Sequence, residues 1–184
     1  MGRMIIDAVT SLDGFCADAR GKSVFPVENM HGSGMIASLV DMCGAVVMSR
    51  HTFDMVEDPD WFADNYELQV PIFVVTDAPL RRYPKENGLL SFHFVFGFAP
   101  AFELAQKAAG DKAVLAIGGP AMVRAALLSG KADEMWLRIV DCSTGGGTPL
   151  FGPGLPGKDF FVSALETTPD SVQMKLQRRC CTVA

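Results

Sequence analysis

The segment of this chain best suited to chemistry is Gly118-Gly119-Pro120. It follows the apolar run Ala113-Val-Leu-Ala-Ile117 and precedes an apolar stretch to Gly130, beyond which lies Glu134-Met-Trp-Leu-Arg-Ile-Val140. A strand, a paired-glycine turn, proline just inside a helix, a glycine stop and a second strand make a βαβ unit. The start of such a helix exposes unpaired N–H groups whose dipole favours an anion, and glycine lets the backbone approach a phosphate with no Cβ in the way. The unit reads as a nucleotide-phosphate site, although a tight turn alone also demands glycine. A second glycine run, Gly145-Gly-Gly-Thr148-Pro-Leu-Phe151-Gly152, follows the second strand. Two such loops on one edge of a parallel pair would bracket a single ligand.

Other chemistry-bearing residues are scattered. Arg50 follows an apolar strand at a helix start, where its planar fork suits phosphate; pairing with the acids between Glu57 and Asp60 is the alternative. Thr148 either caps its glycine loop or touches a ligand. Asp13 sits in Leu12-Asp13-Gly14, a common turn pair, and its structural role outweighs an acid role. His51 reads as structural or solvent-facing. No Ser/His/Asp array or paired catalytic carboxylate is visible, no metal site is expected, and no proton donor can be named. Cys16, Cys43, Cys142, Cys180 and Cys181 lack the two-residue spacing of zinc or redox sites and read as incidental thiols.

The elements that must position these residues alternate. Met4 to Val9 predicts a strand ending at the turn Ser11-Leu-Asp-Gly14, Met35 to Met42 a helix, Ala45 to Met48 a buried strand, and Ser49 to Thr52 the opening of another helix. Val70 to Val75 and Phe92 to Phe96 predict strands around a polar loop holding Arg81 and Arg82, and Phe102 to Ala109 a helix stopped by Gly110. Phe160 to Leu165 and Val172 to Leu176, joined by Thr167-Thr-Pro-Asp170, predict a hairpin. About eight strands and about four helices in alternation imply an α/β fold, a mostly parallel sheet covered on both faces with an antiparallel hairpin at its end. In such sheets ligands lie beyond the carboxyl ends of the strands, so the loops after Val9, Met48, Val75, Ile117 and Val140 would form one neighbourhood.

Length and composition set the frame. At 184 residues, with 49% hydrophobic and 20% charged side chains, the chain is expected to form a single domain, residues 1–184, with a well-filled core. Its net charge of −5 argues against a nucleic-acid partner. No stretch is long enough to be a signal or membrane span, so a cytoplasmic location with no membrane partner is expected.

From Ile5 onward the chain resembles the dihydrofolate reductase superfamily, on its bacterial branch close to the C-terminal reductase domain of the riboflavin-biosynthesis bifunctional deaminase-reductase. The motifs carrying the resemblance run in order: Ser11-Leu-Asp13-Gly14-Phe15, Val46-Val-Met-Ser49-Arg50-His51-Thr52-Phe53, Val74-Val-Thr76, Ile117-Gly118-Gly119-Pro120, Asp133-Glu134, and Gly145 to Gly152. The resemblance implies a three-layer fold and NADPH as cofactor. It brings Gly118 and Gly119 to the diphosphate and Ser49, Arg50 and Thr52 to a phosphate, with Ile117 and Met122 also at the cofactor. It further implies Thr76 at the adenosine ribose, Val9, Thr10, Gly14 and Phe15 around the nicotinamide, and Thr148 from the second glycine loop. Asp77, beside Thr76, would repel the extra phosphate of NADPH unless Arg50, Arg81 and Arg82 outweigh it, so NADH stays open as an alternative.

A second departure concerns the acid that dihydrofolate reductase carries on its first helix. The equivalent place falls near Ser33, with Glu28 several residues off and Asp41 on a later turn. The expected activity is therefore hydride transfer from NADPH to a small heterocyclic or carbonyl-type substrate rather than folate reduction. The alternatives are reduction of a ribosylaminopyrimidine of riboflavin synthesis, whose deaminase half is absent here, and non-catalytic dinucleotide binding. Apolar edge strands near Phe160-Phe161 and the many methionines suggest either a homodimer interface or ordinary core.

Overall fold

The computed structural model describes residues 2–24, 34–80, 82–155 and 159–179. Ser33, Glu28, Arg81, Cys180 and Cys181, all of which figured in the sequence reading, lie outside them.

Among the described residues, ten strands and five helices follow in order: β1 (Met4–Ser11), β2 (Phe15–Ala17), α1 (Gly34–Met42), β3 (Cys43–Ser49), α2 (Arg50–Phe53), α3 (Trp61–Asn65), β4 (Ile72–Val75), β5 (Phe92–Val95), α4 (Phe98–Ala109), β6 (Ala113–Ile117), α5 (Pro120–Leu128), β7 (Ala132–Val140), β8 (Thr148–Pro149), β9 (Phe160–Thr168) and β10 (Ser171–Arg178). Eight strands form one sheet in the order β5-β4-β3-β6-β1-β7-β10-β9, and β2 pairs with β8 separately. All pairings from β5 to β7 are parallel, whereas β10 runs antiparallel to both β7 and β9. The expected mostly parallel sheet with a closing hairpin is what forms.

Strict alternation along the central strands divides the core. Met4, Ile6 and Ala8 of β1, Ala45 and Val47 of β3, and Val114 and Ala116 of β6 face one side, where Phe102 of α4 and Met122, Val123 and Leu127 of α5 cover them. Ile5, Val46, Met48 and Leu115 face the other side, under Leu39 of α1, Phe53 of α2 and Phe62 of α3. Central strands buried on both faces need near-continuous apolar runs, as these have, and each fully buried Ile or Leu contributes about 1.5–3 kcal/mol.

Two sequence expectations need correction. The strands of the βαβ unit, β6 and β7, are not neighbours: β1 lies between them and pairs with both. The two glycine loops therefore do not flank one parallel pair. The second folds back instead, and β8 pairs with β2, Phe15 opposite Pro149 and Ala17 opposite Thr148. The helix α3, which the acidic run before it concealed, was not foreseen.

Candidate active site

Where β1, β3 and β6 end, a cavity of about 430 Å³ opens on the α1–α3 side of the sheet. The registers Asp7 with Ile117 and Met48 with Ile117 bring these ends level, and Ser49 with Val75 extends the row to β4. Of the strand ends expected to share one neighbourhood, those of β3, β4 and β6 lie level with one another beside Asp7, whereas β1 and β7 run on together to Ser11 and Val140. The sheet supplies the cavity floor through Asp7, Val9, Met48, Leu115, Ile117 and Arg138. Trp61, Phe62, Tyr66 and Leu68 form one wall, with Leu39 and Val40 beside them. Gly118, Gly119, Thr52, Cys16 and Thr148 form a rim.

The rim is locked by small polar contacts. Ser49 caps α2, its Oγ accepting from Thr52 N–H at 3.2 Å and lying 3.0 Å from Thr52 Oγ1. Gly118, at φ +145°, packs so closely on this pair that a Cβ would stand 2.8 Å from Thr52 Oγ1. At Gly119 a Cβ would meet only Cys16 Sγ, at 3.9 Å, in ordinary contact, and φ is −80°. The fold itself does not require glycine there. Helix α5 starts at that residue with no side-chain cap, and Pro120 removes one of its orphan donors.

Among the residues the resemblance implied, Val9, Thr52, Ile117, Gly118, Gly119 and Thr148 line the cavity. The others do not. Thr10 is buried, its hydroxyl directed to the carbonyls of Ser11 and Phe15 at 3.3 Å, and Met122 lies wholly in the opposite core. Gly14 and Phe15 belong to a turn in which their N–H groups bond Ser11 O and Ser11 Oγ. Thr76 closes its own turn, its Oγ1 bonding both N and O of Ala78. Arg50 is held through Nε by Asp54 at 2.7–2.8 Å, not by the acids between Glu57 and Asp60, yet its Nη1 is buried without a partner. Those acids instead engage Arg82, through Asp58 and Asp60, so Arg82 is not free to offset Asp77.

Asp13 is structural: it accepts from Ser11 Oγ at 2.6 Å and from the N–H groups of Thr144 and Gly145. The Ser11 hydroxyl, then the Gly145 and Thr144 amides, hold its carboxyl below the usual range. Nearby, a Cβ on Gly147 would overlap Ala17 O, so glycine there serves the β2–β8 contact.

A dinucleotide fits on two observations at the rim, the open space at Gly119 and the uncapped start of α5, and on a third beyond the cavity lining, the orphaned buried Arg50 Nη1. Gly119 and α5 could hold a diphosphate through backbone N–H groups, and Arg50 a phosphate oxygen.

Sequence reading missed Asp7. On β1 it takes an inward position between Ile5 and Val9, level with Ile117 on one side and Trp136 on the other. It lies deep in the molecule but keeps part of its surface open to the cavity. Burial pushes its carboxyl pKa up, and attraction to Arg138 offsets part of that rise. The signal was an acid set in Met4-Ile-Ile-Asp7-Ala-Val9, a strand apolar enough to be buried on both faces.

No protein-family model matches the chain, and no curated protein matches it in sequence. Solved structures do. A Shewanella sp. PV-4 protein provisionally assigned to riboflavin biosynthesis aligns over 97% of this chain and 99% of its own, with 27% identity and a TM-score of 0.73. The Thermotoga maritima diaminohydroxyphosphoribosylaminopyrimidine deaminase/5-amino-6-(5-phosphoribosylamino)uracil reductase matches 97% of this chain with 57% of its own, at 12% identity and a TM-score of 0.64. Enterococcus faecalis dihydrofolate reductase, complexed with NADP(H) and RAB-propyl, covers 97% of this chain and 98% of its own at 14% identity and a TM-score of 0.65. The chain has a dihydrofolate reductase-like fold, which it shares with riboflavin-pathway proteins. Among the described residues, no helix is long and apolar enough to cross a membrane.

Proposed function

We propose that this protein is an NADPH-dependent reductase that transfers a hydride to a small heterocyclic or carbonyl-type acceptor. One observation carries the reading: a rim able to take a dinucleotide and a floor bearing a buried acid, Asp7, belong to the same cavity. The fold shared with reductases supports it, as does the 27% identity over nearly the whole length of a Shewanella protein provisionally assigned to riboflavin biosynthesis. The cofactor, when bound, supplies the hydride. The chain's own residues do the remainder. Gly119 and the start of α5 hold the diphosphate, Arg50 binds a phosphate, and the apolar wall keeps water from the acceptor.

Calorimetric titration with NADPH and NADH, followed by cofactor oxidation against dihydrofolate, pterins, a ribosylaminopyrimidine and carbonyl acceptors, tests the reading. Tight cofactor binding with turnover of one acceptor class is expected. Cofactor binding with no turnover of any acceptor would turn the assignment to a dinucleotide-binding protein without chemistry, and no binding would end both.

A further inference from the structure

The wall of the cavity is held from outside it. Trp61, Phe62, Tyr66 and Leu68 form that wall, and they belong to or follow α3, a helix of five residues with no side-chain cap at Asp60. So short a helix does not hold its own shape in water. Its apolar anchors lie after its first position: Phe62 stacks on Phe53 with ring centroids 5.3 Å apart, and Phe62, Tyr66 and Leu68 are buried. Trp61, at the first position, is only half-buried, its ring meeting Phe62 and Tyr66 with centroids 5.6 and 6.2 Å apart. Apolar contacts thus fix the depth of the wall better than the direction of its leading edge.

What fixes that edge is polar and comes from the β4–β5 connection. Residues 82–90 form neither helix nor strand; buried Pro84 and Leu90 moor the segment, and Tyr83 packs on Phe94 at 5.7 Å. Its polar groups reach α3 at both ends. Arg82 spreads its fork over two carboxylates, Nη1 donating to Asp58 at 3.1 Å and Nη2 donating to Asp60. The Lys85 N–H donates to the other Asp60 oxygen at 2.8 Å, and its ammonium donates to Asp64 at 3.2 Å. Asn87 donates to Gln69 at 2.7 Å, and Gln69 in turn donates to the carbonyls of Phe62 and Tyr66 at 3.1 and 2.6 Å. Carbonyls that a helix end leaves free are satisfied in this way.

A lone exposed ion pair is weak and screened by salt. Here one guanidinium ties together two carboxylates immediately before Trp61, which a planar fork can do and a compact ammonium cannot. Arg82 does not itself line the cavity, so it acts there only through Trp61. We propose that Arg82 is a positioning residue: by holding Asp58 and Asp60 it fixes the Trp61 edge of the wall, and makes the fit of a ligand bound there depend on ionic strength. That such a ligand accepts a hydride rests on the reductase reading; the brace does not.

The test uses the whole wild-type protein, Arg82→Ala and Arg82→Lys. Peptide-resolved hydroxyl-radical oxidation reads the exposure of Trp61. In the wild type it is expected to rise about threefold between about 0.02 and about 0.5 M KCl, as screening loosens the bridge. Arg82→Ala is expected to show the raised value at every salt concentration, and Arg82→Lys, which keeps the charge without the fork, about half of the rise at low salt. Calorimetry with indole, an uncharged aromatic probe of the cavity, is expected to show about fivefold weaker binding to Arg82→Ala and about twofold weaker binding to Arg82→Lys. NADPH affinity within about twofold of wild type and Tm within about 2 °C would separate this local role from general weakening of the fold. Trp61 oxidation that is flat with salt in the wild type, or equal in wild type and Arg82→Ala, overturns the proposal. So does indole binding that ignores the substitution or is absent from the wild type. Should Arg82→Ala not fold, the wild-type salt series and Arg82→Lys decide. Failure of NADPH to bind overturns the reductase reading instead and leaves the brace standing.

Discussion

Gly118 and Thr52 are interlocked: a Cβ on the glycine would lie 2.8 Å from the threonine hydroxyl, and the glycine backbone sits at φ +145°. One residue on, Gly119 has an ordinary φ and open space toward Cys16. The two glycines of one motif thus differ: the fold demands the first and leaves the second unconstrained.

That difference is measurable. Gly118→Ala must both strain the backbone and displace Thr52, and is expected to destabilise by about 2–3 kcal/mol, lowering Tm by several degrees. Gly119→Ala is expected to melt within about 0.5 kcal/mol of wild type yet weaken NADPH binding at least about tenfold, because its methyl occupies the space a diphosphate needs. Melting curves and calorimetry on both variants check this. Normal NADPH affinity in Gly119→Ala would remove the diphosphate from this rim.

Much of this architecture was legible in the sequence because buried parallel strands announce themselves as unbroken apolar runs, and β3, β4, β6 and the β9–β10 hairpin all appeared near their places. Strand order was not legible. Nothing local in β6 or β7 says that β1 inserts between them, since that choice is made by long-range packing of residues as far apart as Ile5 and Glu134. The site was partly legible: motif residues at strand ends reached the cavity, whereas Thr10 and Met122 turn the other way by simple periodicity. Asp7 escaped notice because one acid in an apolar strand looks like a flaw in the pattern until the cavity beside it is seen.

Arg50 should discriminate between phosphates. Its Nε is occupied by Asp54, leaving the orphaned Nη1 for a ligand oxygen. Arg50→Ala is expected to weaken NADPH binding by about tenfold, in line with the loss of one charge-assisted hydrogen bond. Asp77→Asn should strengthen NADPH relative to NADH, because Arg82 is already engaged by Asp58 and Asp60. Dissociation constants for both cofactors check the pair. An Arg50 variant with unchanged affinities would assign that side chain to holding α2 alone.

Glu134 makes stability fall in acid. Burial alone would raise its pKa, but the Trp136 indole N–H at 2.9 Å, Lys175 at 3.2 Å and Arg3 at 2.6 Å outweigh that and hold it below the usual range. A depressed folded pKa contributes stability above the unfolded value of about 4.3, and loses it as pH drops through the folded value. Glu134→Gln is expected to cost about 1–2 kcal/mol at neutral pH and to flatten the acid limb. Urea titrations at pH values on both sides of the carboxylate range check the sign; an unaltered acid limb would show that other carboxylates set it.

The described thiols should react in a fixed order. Cys43 is buried and bonded to Ala45 O, and burial pushes its thiol up to about 12, so it should resist maleimide in the folded protein. Cys142 is exposed and should label first. Cys16 is half-buried on the cavity rim beside Gly119, its thiol also raised by burial, and should label slowly. Saturating NADPH is then expected to slow Cys16 labelling by at least about tenfold while leaving Cys142 unchanged, since the cofactor would cover only the rim. Mass spectrometry of labelled peptides reads both rates, and Cys16 labelling that ignores NADPH would mean the cofactor binds elsewhere.

Among the described residues, the sheet ends at β9 with an apolar surface uncovered. Val162 and Leu165 are 52% and 59% exposed although their register partners, Leu176 and Met174, pack into the α4–α5 core. The strand therefore overhangs the helices that cover the rest of that face, leaving an open edge and adjacent aliphatic groups to water, a combination that invites a second copy. We propose a homodimer through β9. Scattering mass is expected to give twice the chain mass of 19.8 kDa, and Leu165→Glu paired with Val162→Lys to give a monomer with the same NADPH affinity. Because both side chains are solvent-exposed in the single chain, the substitutions should shift its unfolding by no more than about 0.5 kcal/mol once dimer linkage is removed by dilution. A wild-type protein of single-chain mass at high concentration would show that β9 is guarded by its flanking arginines rather than by a partner, since Arg178 and Arg179 stack over Phe160 and Phe161 at 5.3 and 5.5 Å.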